Sequence, residues 1–236
     1  MSGWTAIVPV TTFHLASSRL DVPAAFRTPL AEAFVADTLG AVRACVMIEH
    51  VVVVTGDPGV RHRLARAPRT TMLEDRPLMV RDGQSRAVAA GAAWARVRRP
   101  DDPVVVLAAD LPCLTGKVLE DVLIRGGGTT RAYVADTEGE GTTMLLAPSP
   151  RDIDPGFGAR SARAHASMGY RSVRAPDPRA RRDVDTVQHL GAARMLGLGP
   201  ETASVLAECM EEDRSRARSG RRQMTPSGAG AEGGRA

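Results

Sequence analysis

Short aliphatic runs alternate with helical apolar spacing along most of the chain. Residues 5–10, "TAIVPV", read as a buried strand, and a polar loop through "TTFHLASSRL" follows. A helix is predicted over 29–46, where Pro29 suits the first turn and Leu30, Phe34, Val35, Thr38 and Val42 recur at helical spacing. "HVVVVTGD" (50–57) predicts a second strand closed by a Gly-Asp-Pro turn, and residues 84–98 an Ala-rich helix pressed close to the sheet. The run "VVVLAADLPCL" (104–114) is a further buried strand with Asp110 where it emerges, and a helix over 116–124 follows. Beyond a triple-glycine turn, 131–136 and 143–147 read as strands joined by the Gly-rich link "TEGEG".

Fully aliphatic strands alternating with helices predict an α/β fold of three layers, a mostly parallel central sheet with helices on both faces. In such a sheet ligands bind outside the carboxyl ends of the strands, at a switch point. Asp110 falls at such an end.

Composition narrows the function classes. Hydrophobic residues make up 43% of 236, enough for a sizeable core, while aromatics at 3% argue against a base-stacking nucleic-acid platform. Lys117 is the single lysine, so the net charge of +4 comes from arginine, much of it beyond Asp213. That pattern predicts a folded domain over 1–212 and a disordered, basic, Gly/Arg-rich tail over 213–236. Cys45, Cys113 and Cys209 show no paired or metal-ligand spacing. With no signal-peptide pattern and no run near the roughly 20 apolar residues of a membrane span, a cytoplasmic protein is expected, with no membrane or nucleic-acid partner.

Three segments could join Asp110 in a site. In "RRDVDTVQHL", Asp183 and Asp185 flank one valine, so in extended backbone both carboxylates share a face while Val184 turns to the core. A hard divalent cation such as Mg²⁺ relieves their repulsion; the alternative is an N-capping Asp185 with Asp183 paired to Arg181 or Arg182. "GEGTTMLLAP" offers a flexible loop and two hydroxyls before a strand, either as an anion nest or as a plain hairpin. "GFGARSARAHASMG" sets Gly156, Gly158 and Ser161 ahead of a short helical stretch, with Arg160 and Arg163 nearby, and His165 reads as a packing or surface histidine. Acids for a metal together with Gly-hydroxyl loops for anions point to phosphoryl or nucleotidyl transfer. A phosphate nucleophile, with a second pKa of about 6, needs no side-chain base.

The ordered set "IVPV…SRL", "VVVVTGD", "LAADLP", "GEGTTMLL", "FGARSARAHASMG" and "DVDT" resembles the phospholactate guanylyltransferase family of coenzyme F-420 biosynthesis, from about Thr5 to Leu196. These are nucleotidyltransferases of glycosyltransferase-A-like fold, related to molybdenum-cofactor guanylyltransferases. The resemblance implies transfer of GMP from GTP to 2-phospho-L-lactate or phosphoenolpyruvate with release of pyrophosphate, and it leaves a homodimer open. It implies that Asp110, Asp183 and Asp185 hold Mg²⁺, and that Thr143, Gly158 and Ser161 bind the acceptor. Pro9, Val10, Arg19 and Ser85 would face the nucleotide, with Asp110 and Arg19 in catalytic roles. Two other readings stand beside it: a non-catalytic relative that binds a phospho-acid or partner, and a transferase for another nucleotide or acceptor, such as phosphoglycerate or molybdopterin.

The sequence departs from the family pattern near the nucleotide. Thr11 and Ser17 stand where the family has lysines, and Gly83-Gln84-Ser85 stands for the usual Gly-Leu-Asn. Each lost charged hydrogen bond to a triphosphate costs roughly 1.5–3 kcal/mol, unless Arg19 or Arg27 substitutes. The double substitution Thr11→Lys, Ser17→Lys is therefore expected to raise GTP affinity or turnover, with a gain that shrinks as salt is added. Steady-state kinetics at two ionic strengths checks this.

Overall fold

Every residue of β1 (Trp4–Val10) is buried, because the strand runs through the middle of a sheet covered on both faces. The structure, a computed structural model, describes residues 3–10, 20–75 and 83–223. Arg19, Thr11 and Ser17 lie outside them. β1 pairs in parallel with β2 (Ile48–Thr55) on one side and β4 (Val104–Leu107) on the other, and β3 (Thr70–Glu74) extends the β2 edge in parallel. Beyond β4 lie β6 (Thr142–Ala147), β5 (Ala132–Ala135) and the short β7 (Arg171–Ser172), giving the order β3-β2-β1-β4-β6-β5-β7. β6 is antiparallel to both neighbours and forms a hairpin with β5, so the sheet is mostly parallel with one reversed strand.

Period-two alternation divides the strands between two cores. Ala6, Val8, Val10, Val51, Val53 and Val105 meet helices α1 (Ala24–Ala44) and α4 (Gly116–Gly126) on one face. Ile7, Val52, Val54, Val104 and Val106 meet α3 (Gly83–Arg98) on the other. The alanines of α3 permit a close approach: a Cβ on Gly91 would sit 2.5 Å from Ile7 Cγ2. The short α2 (Pro58–Leu64) links β2 to β3 and is capped by Asp57, whose Oδ1 accepts from Val60 N–H at 2.9 Å. A third cluster packs Leu20, Leu30 and Phe34 against Cys113, Val184 and helix α6 (Val187–Leu196). The small helix α5 (Ser161–Ser167) follows the β6 side of the sheet.

Two sequence expectations shift. Helix α1 begins at Ala24, with Pro23 as its N-cap, so Pro29 lies in the second turn, not the first. The half-buried Phe26 packs on the third core, which extends the helix backwards in spite of the N–H that Pro29 lacks. The second difference concerns the tail. The last helix, α7 (Pro200–Gln223), continues through residue 213, where the sequence reading ends the folded domain. Arginine is a good helix former, so the charged stretch extends a helix already docked on α1. Residues 224–236 lie outside those described.

Asp37 of α1 anchors that docking. Its carboxylate accepts from Glu201 N–H at 3.1 Å and Thr202 N–H at 2.8 Å, capping α7. Gly199 sits so close that a Cβ there would lie 2.3 Å from Asp37 Cγ. Asp37→Ala is expected to cost about 1–2 kcal/mol, equivalent to about 2–4 °C in Tm per kcal/mol in a chain of this size. Differential scanning calorimetry of the variant measures it.

Candidate active site

The connections out of β1 and into β4 leave the sheet in opposite directions, and a cleft of about 650 Å³ opens at the carboxyl ends of these two strands. Its size lies within the roughly 300–1,000 Å³ of small-molecule and cofactor sites. Pro9 and Val10 end β1 in its wall, with Leu20 and Gln84 beside them. Ala108, Ala109 and Asp110 follow β4, and Asp183, Val184 and Asp185 lie alongside. The β5–β6 hairpin contributes Asp136, Glu140, Gly141 and Thr142, and the 157–161 loop supplies Phe157, Gly158, Ala159, Arg160 and Ser161.

Backbone pairing brings the acids together. Val184 N–H donates to the Asp110 carbonyl at 3.2 Å, and the Val184 side chain is buried in the third core. Asp183 and Asp185, one residue to either side, therefore line the same cleft as Asp110. The partners that could have absorbed the pair are engaged elsewhere. Arg182, with 7% of its side chain exposed, pairs with Glu138 at 3.0 Å. Arg181 Nε donates to the Ala135 and Asp136 carbonyls, each at 3.1 Å. Thr186, not Asp185, caps α6 through His189 N–H at 3.2 Å. Asp183 Oδ1 is buried with no hydrogen-bond partner among the described residues.

The electrostatic consequence is large. Burial first, then the charge of Asp185, pushes the Asp110 carboxyl up to about 7. Burial, followed by the charges of Asp110, Asp185 and Asp136, pushes Asp183 up to about 8. An all-oxygen set with an unpartnered, mutually repelling member suits a hard divalent cation. Among the described residues no three His, Cys, Asp or Glu side chains already stand together in ligand geometry, so a cation would have to draw these carboxylates onto itself.

The other sequence candidates separate. Gly158 (φ 134°) and Ser161 line the same cleft as the acids, and Arg160 between them in sequence holds a left-handed φ of 59°. Thr143 does not reach it: its hydroxyl is buried and donates to the Ala180 carbonyl at 2.8 Å, and Thr142 takes the cleft position. Ser85 lies beneath the 157–161 loop, where Oγ accepts from Phe157 N–H at 3.0 Å, and its neighbour Gln84 lines the cleft. Arg27 is turned to the Val22 carbonyl at 3.3 Å and is not part of the wall. The "TEGEG" link is a hairpin, not an open anion nest, since the Asp136 carboxylate takes the N–H groups of Glu140 (2.9 Å) and Gly141 (2.6 Å). Asp136 was the acid that sequence reasoning passed over. Its signal resembles that of Asp110: Asp136 directly follows β5, as Asp110 follows β4 by three residues.

Comparisons with known proteins agree with the fold and identify the family. The profile of the MobA-like NTP transferase domain matches residues 16–184. The phosphoenolpyruvate guanylyltransferase of Salinispora arenicola is 40% identical over 209 residues, covering 85% of this chain and 92% of that protein. That of Streptomyces coelicolor is 39% identical over 211 residues, covering 88% and 97%. Among solved structures, a putative nucleotide-diphospho-sugar transferase from Desulfovibrio desulfuricans shares the fold with a TM-score of 0.67 at 18% identity, over 91% of this chain and 98% of that one. A Mycobacterium tuberculosis protein solved in complex with manganese superposes with a TM-score of 0.52 at 16% identity, over 81% and 97%. No helix among the described residues is long and apolar enough to cross a membrane.

The raised carboxyls carry a sign that can be tested. An acid whose pKa is higher folded than unfolded binds its proton more tightly when folded, so stability falls as pH rises from about 4 towards 8. Without divalent cations the protein is expected to lose Tm across that range, and Asp183→Asn to flatten the loss. At pH 8 the variant should melt higher than the parent, by about 2–4 °C for each kcal/mol of repulsion relieved. Added Mg²⁺ or Mn²⁺ should raise the parent's Tm and leave the variant's nearly unchanged. An equal cation-induced rise in both proteins contradicts this assignment.

Proposed function

Because the chain belongs to the MobA-like NTP transferase family, we propose that this nucleotidyltransferase moves GMP from GTP onto a small phospho-acid, phosphoenolpyruvate or 2-phospho-L-lactate, and releases pyrophosphate. The observation that carries the reading is one cleft lined both by Asp110, Asp183 and Asp185 and by the Gly158–Ser161 loop. Relatives at 40% and 39% identity, both phosphoenolpyruvate guanylyltransferases, support the choice of base and acid.

The acceptor carries its own nucleophile, since a phosphate monoester with a second pKa of about 6 is ionised at neutral pH. One of its phosphate oxygens attacks the α-phosphorus of GTP. A P–O bond forms there as the bond from the α-phosphorus to the bridging oxygen breaks, and that electron pair leaves with pyrophosphate. Asp110, Asp183 and Asp185 would hold Mg²⁺, which supplies charge neutralisation for two polyanions that otherwise repel. Pro9, Val10 and Gln84 bound the nucleotide end of the cleft. Gly158 and Ser161, with the Arg160 guanidinium between them, receive the acceptor's anionic groups. The protein thus contributes orientation and a fixed electrostatic field, which is most of what phosphoryl-type transfer asks of it.

Purified protein assayed with GTP, ATP or CTP against phosphoenolpyruvate, 2-phospho-L-lactate and 3-phosphoglycerate tests this. Pyrophosphate release with GTP and one of the first two acids is expected, abolished by EDTA and restored by Mg²⁺, with a product heavier than the acid by one guanylyl group. Asp110→Asn should reduce turnover by at least about 100-fold, on the scale of other electrostatic active-site losses. Turnover only with another nucleotide, or only with 3-phosphoglycerate, would replace this reading.

A further inference from the structure

His165 belongs to none of the roles above, yet it is fully buried between Thr142 of β6 and the Gly156 backbone. Its ring packs edge-on against Phe157 at 5.2 Å and Tyr170 at 5.5 Å. Nε2 lies 3.1 Å from Gly156 N, and Nδ1 lies 2.9 Å from Thr142 Oγ1. A backbone N–H can only donate, so Nε2 must present its lone pair. In this aromatic enclosure burial pushes the imidazole down to about 4, and the ring is neutral at physiological pH. A neutral ring with an unprotonated Nε2 carries its proton on Nδ1, which therefore donates to Thr142 Oγ1.

The hydroxyl of Thr142 is then no longer free to choose. Its oxygen accepts from His165, and its own proton has no other partner among the described residues. Thr142 lines the cleft together with Gly158 and Ser161. We propose that His165 is a positioning residue for the acceptor substrate: held as its Nδ1–H tautomer by Gly156, it fixes the Thr142 hydroxyl as a hydrogen-bond donor to an anionic oxygen in the cleft. The proposal rests on the phospho-acid reading of this site. Because His165 presents an N–H and not a lone pair, the Thr142 proton cannot be spent on the ring and is left to donate to a carboxylate or phosphate oxygen. The same ring ties the Gly156 backbone to Thr142 of β6.

Two experiments test it. Histidine-selective nitrogen-15 NMR, with the His165 signal assigned by its loss in His165→Asn, should show Nδ1 protonated and Nε2 bare; a protonated Nε2 overturns the proposal. In kinetics, Thr142→Val should raise KM for phosphoenolpyruvate about 10-fold to 100-fold, the loss of a hydrogen bond to a charged group. It should change kcat and KM for GTP by less than about threefold, and Thr142→Ser should restore the parent's KM. His165→Leu should raise the acceptor KM in the parent, add nothing further in Thr142→Val, and be partly rescued by His165→Asn, whose amide N–H replaces Nδ1–H. An active Thr142→Val enzyme with unchanged acceptor KM, or additive effects of the two positions, overturns the proposal and leaves the guanylyltransferase reading standing. If the parent turns over no phospho-acid, that reading fails. Calorimetric titration with phosphoenolpyruvate then decides the role of Thr142, equal affinity of parent and Thr142→Val counting against it.

Discussion

The hydrogen bond from Val184 N–H to the Asp110 carbonyl holds the cleft's acids in one place. It ties an irregular segment late in the chain to the end of β4, and Val184 seals that junction by packing on Leu20, Leu30 and Phe34. Acids from distant parts of the sequence then stand partly dehydrated: burial and Asp185 make Asp110 harder to ionise, and burial with Asp110, Asp185 and Asp136 makes Asp183 harder to ionise. The two arginines that directly precede Asp183 do not relieve this: Arg182 is occupied with Glu138 and Arg181 with backbone carbonyls. Stored repulsion of this kind is a common mark of a site that awaits a cation, and family membership gives it a context.

The sheet decides where that repulsion can be used. Because β6 runs antiparallel between β4 and β5, its first residues and the hairpin before it rise at the same end as the carboxyl end of β4. Asp136, Thr142 and the 157–161 loop thereby line the same cleft as Asp110. A purely parallel sheet would place the start of that strand at the opposite end. The reversed strand is thus what brings the hairpin residues to the same cavity as the acids that follow β4.

Support beneath the site is built from short polar contacts. Thr38 Oγ1 accepts from Leu111 N–H at 3.0 Å just past Asp110, Ser85 holds Phe157 N–H, and His165 holds Gly156 N–H. Each uses one buried side chain to fix a loop that carries a cleft residue. In a reaction whose catalysis is mostly placement and electrostatics, such supports matter as much as the groups that touch substrate.

The sequence by itself determined the three-layer α/β class, the carboxylate at the end of β4, and the paired acids around Val184. Those follow from local rules: aliphatic runs too continuous for a half-exposed strand, and a period of two that sets both acids on one face. It also carried the ordered motifs that mark the family. It did not show that Thr142 and not Thr143 lines the cleft, since in a strand buried on both faces the alternation of polar and apolar positions is lost. Nor could spacing tell that Ser85 and His165 support loops far away in the chain, at separations of 72 and 9 residues from the N–H groups they hold. Whether the charged stretch beyond residue 213 continues a helix depended on docking against α1, which composition does not encode. Residue chemistry was legible along the chain; which atoms each side chain meets was settled only when long-range packing and backbone pairing closed the cleft.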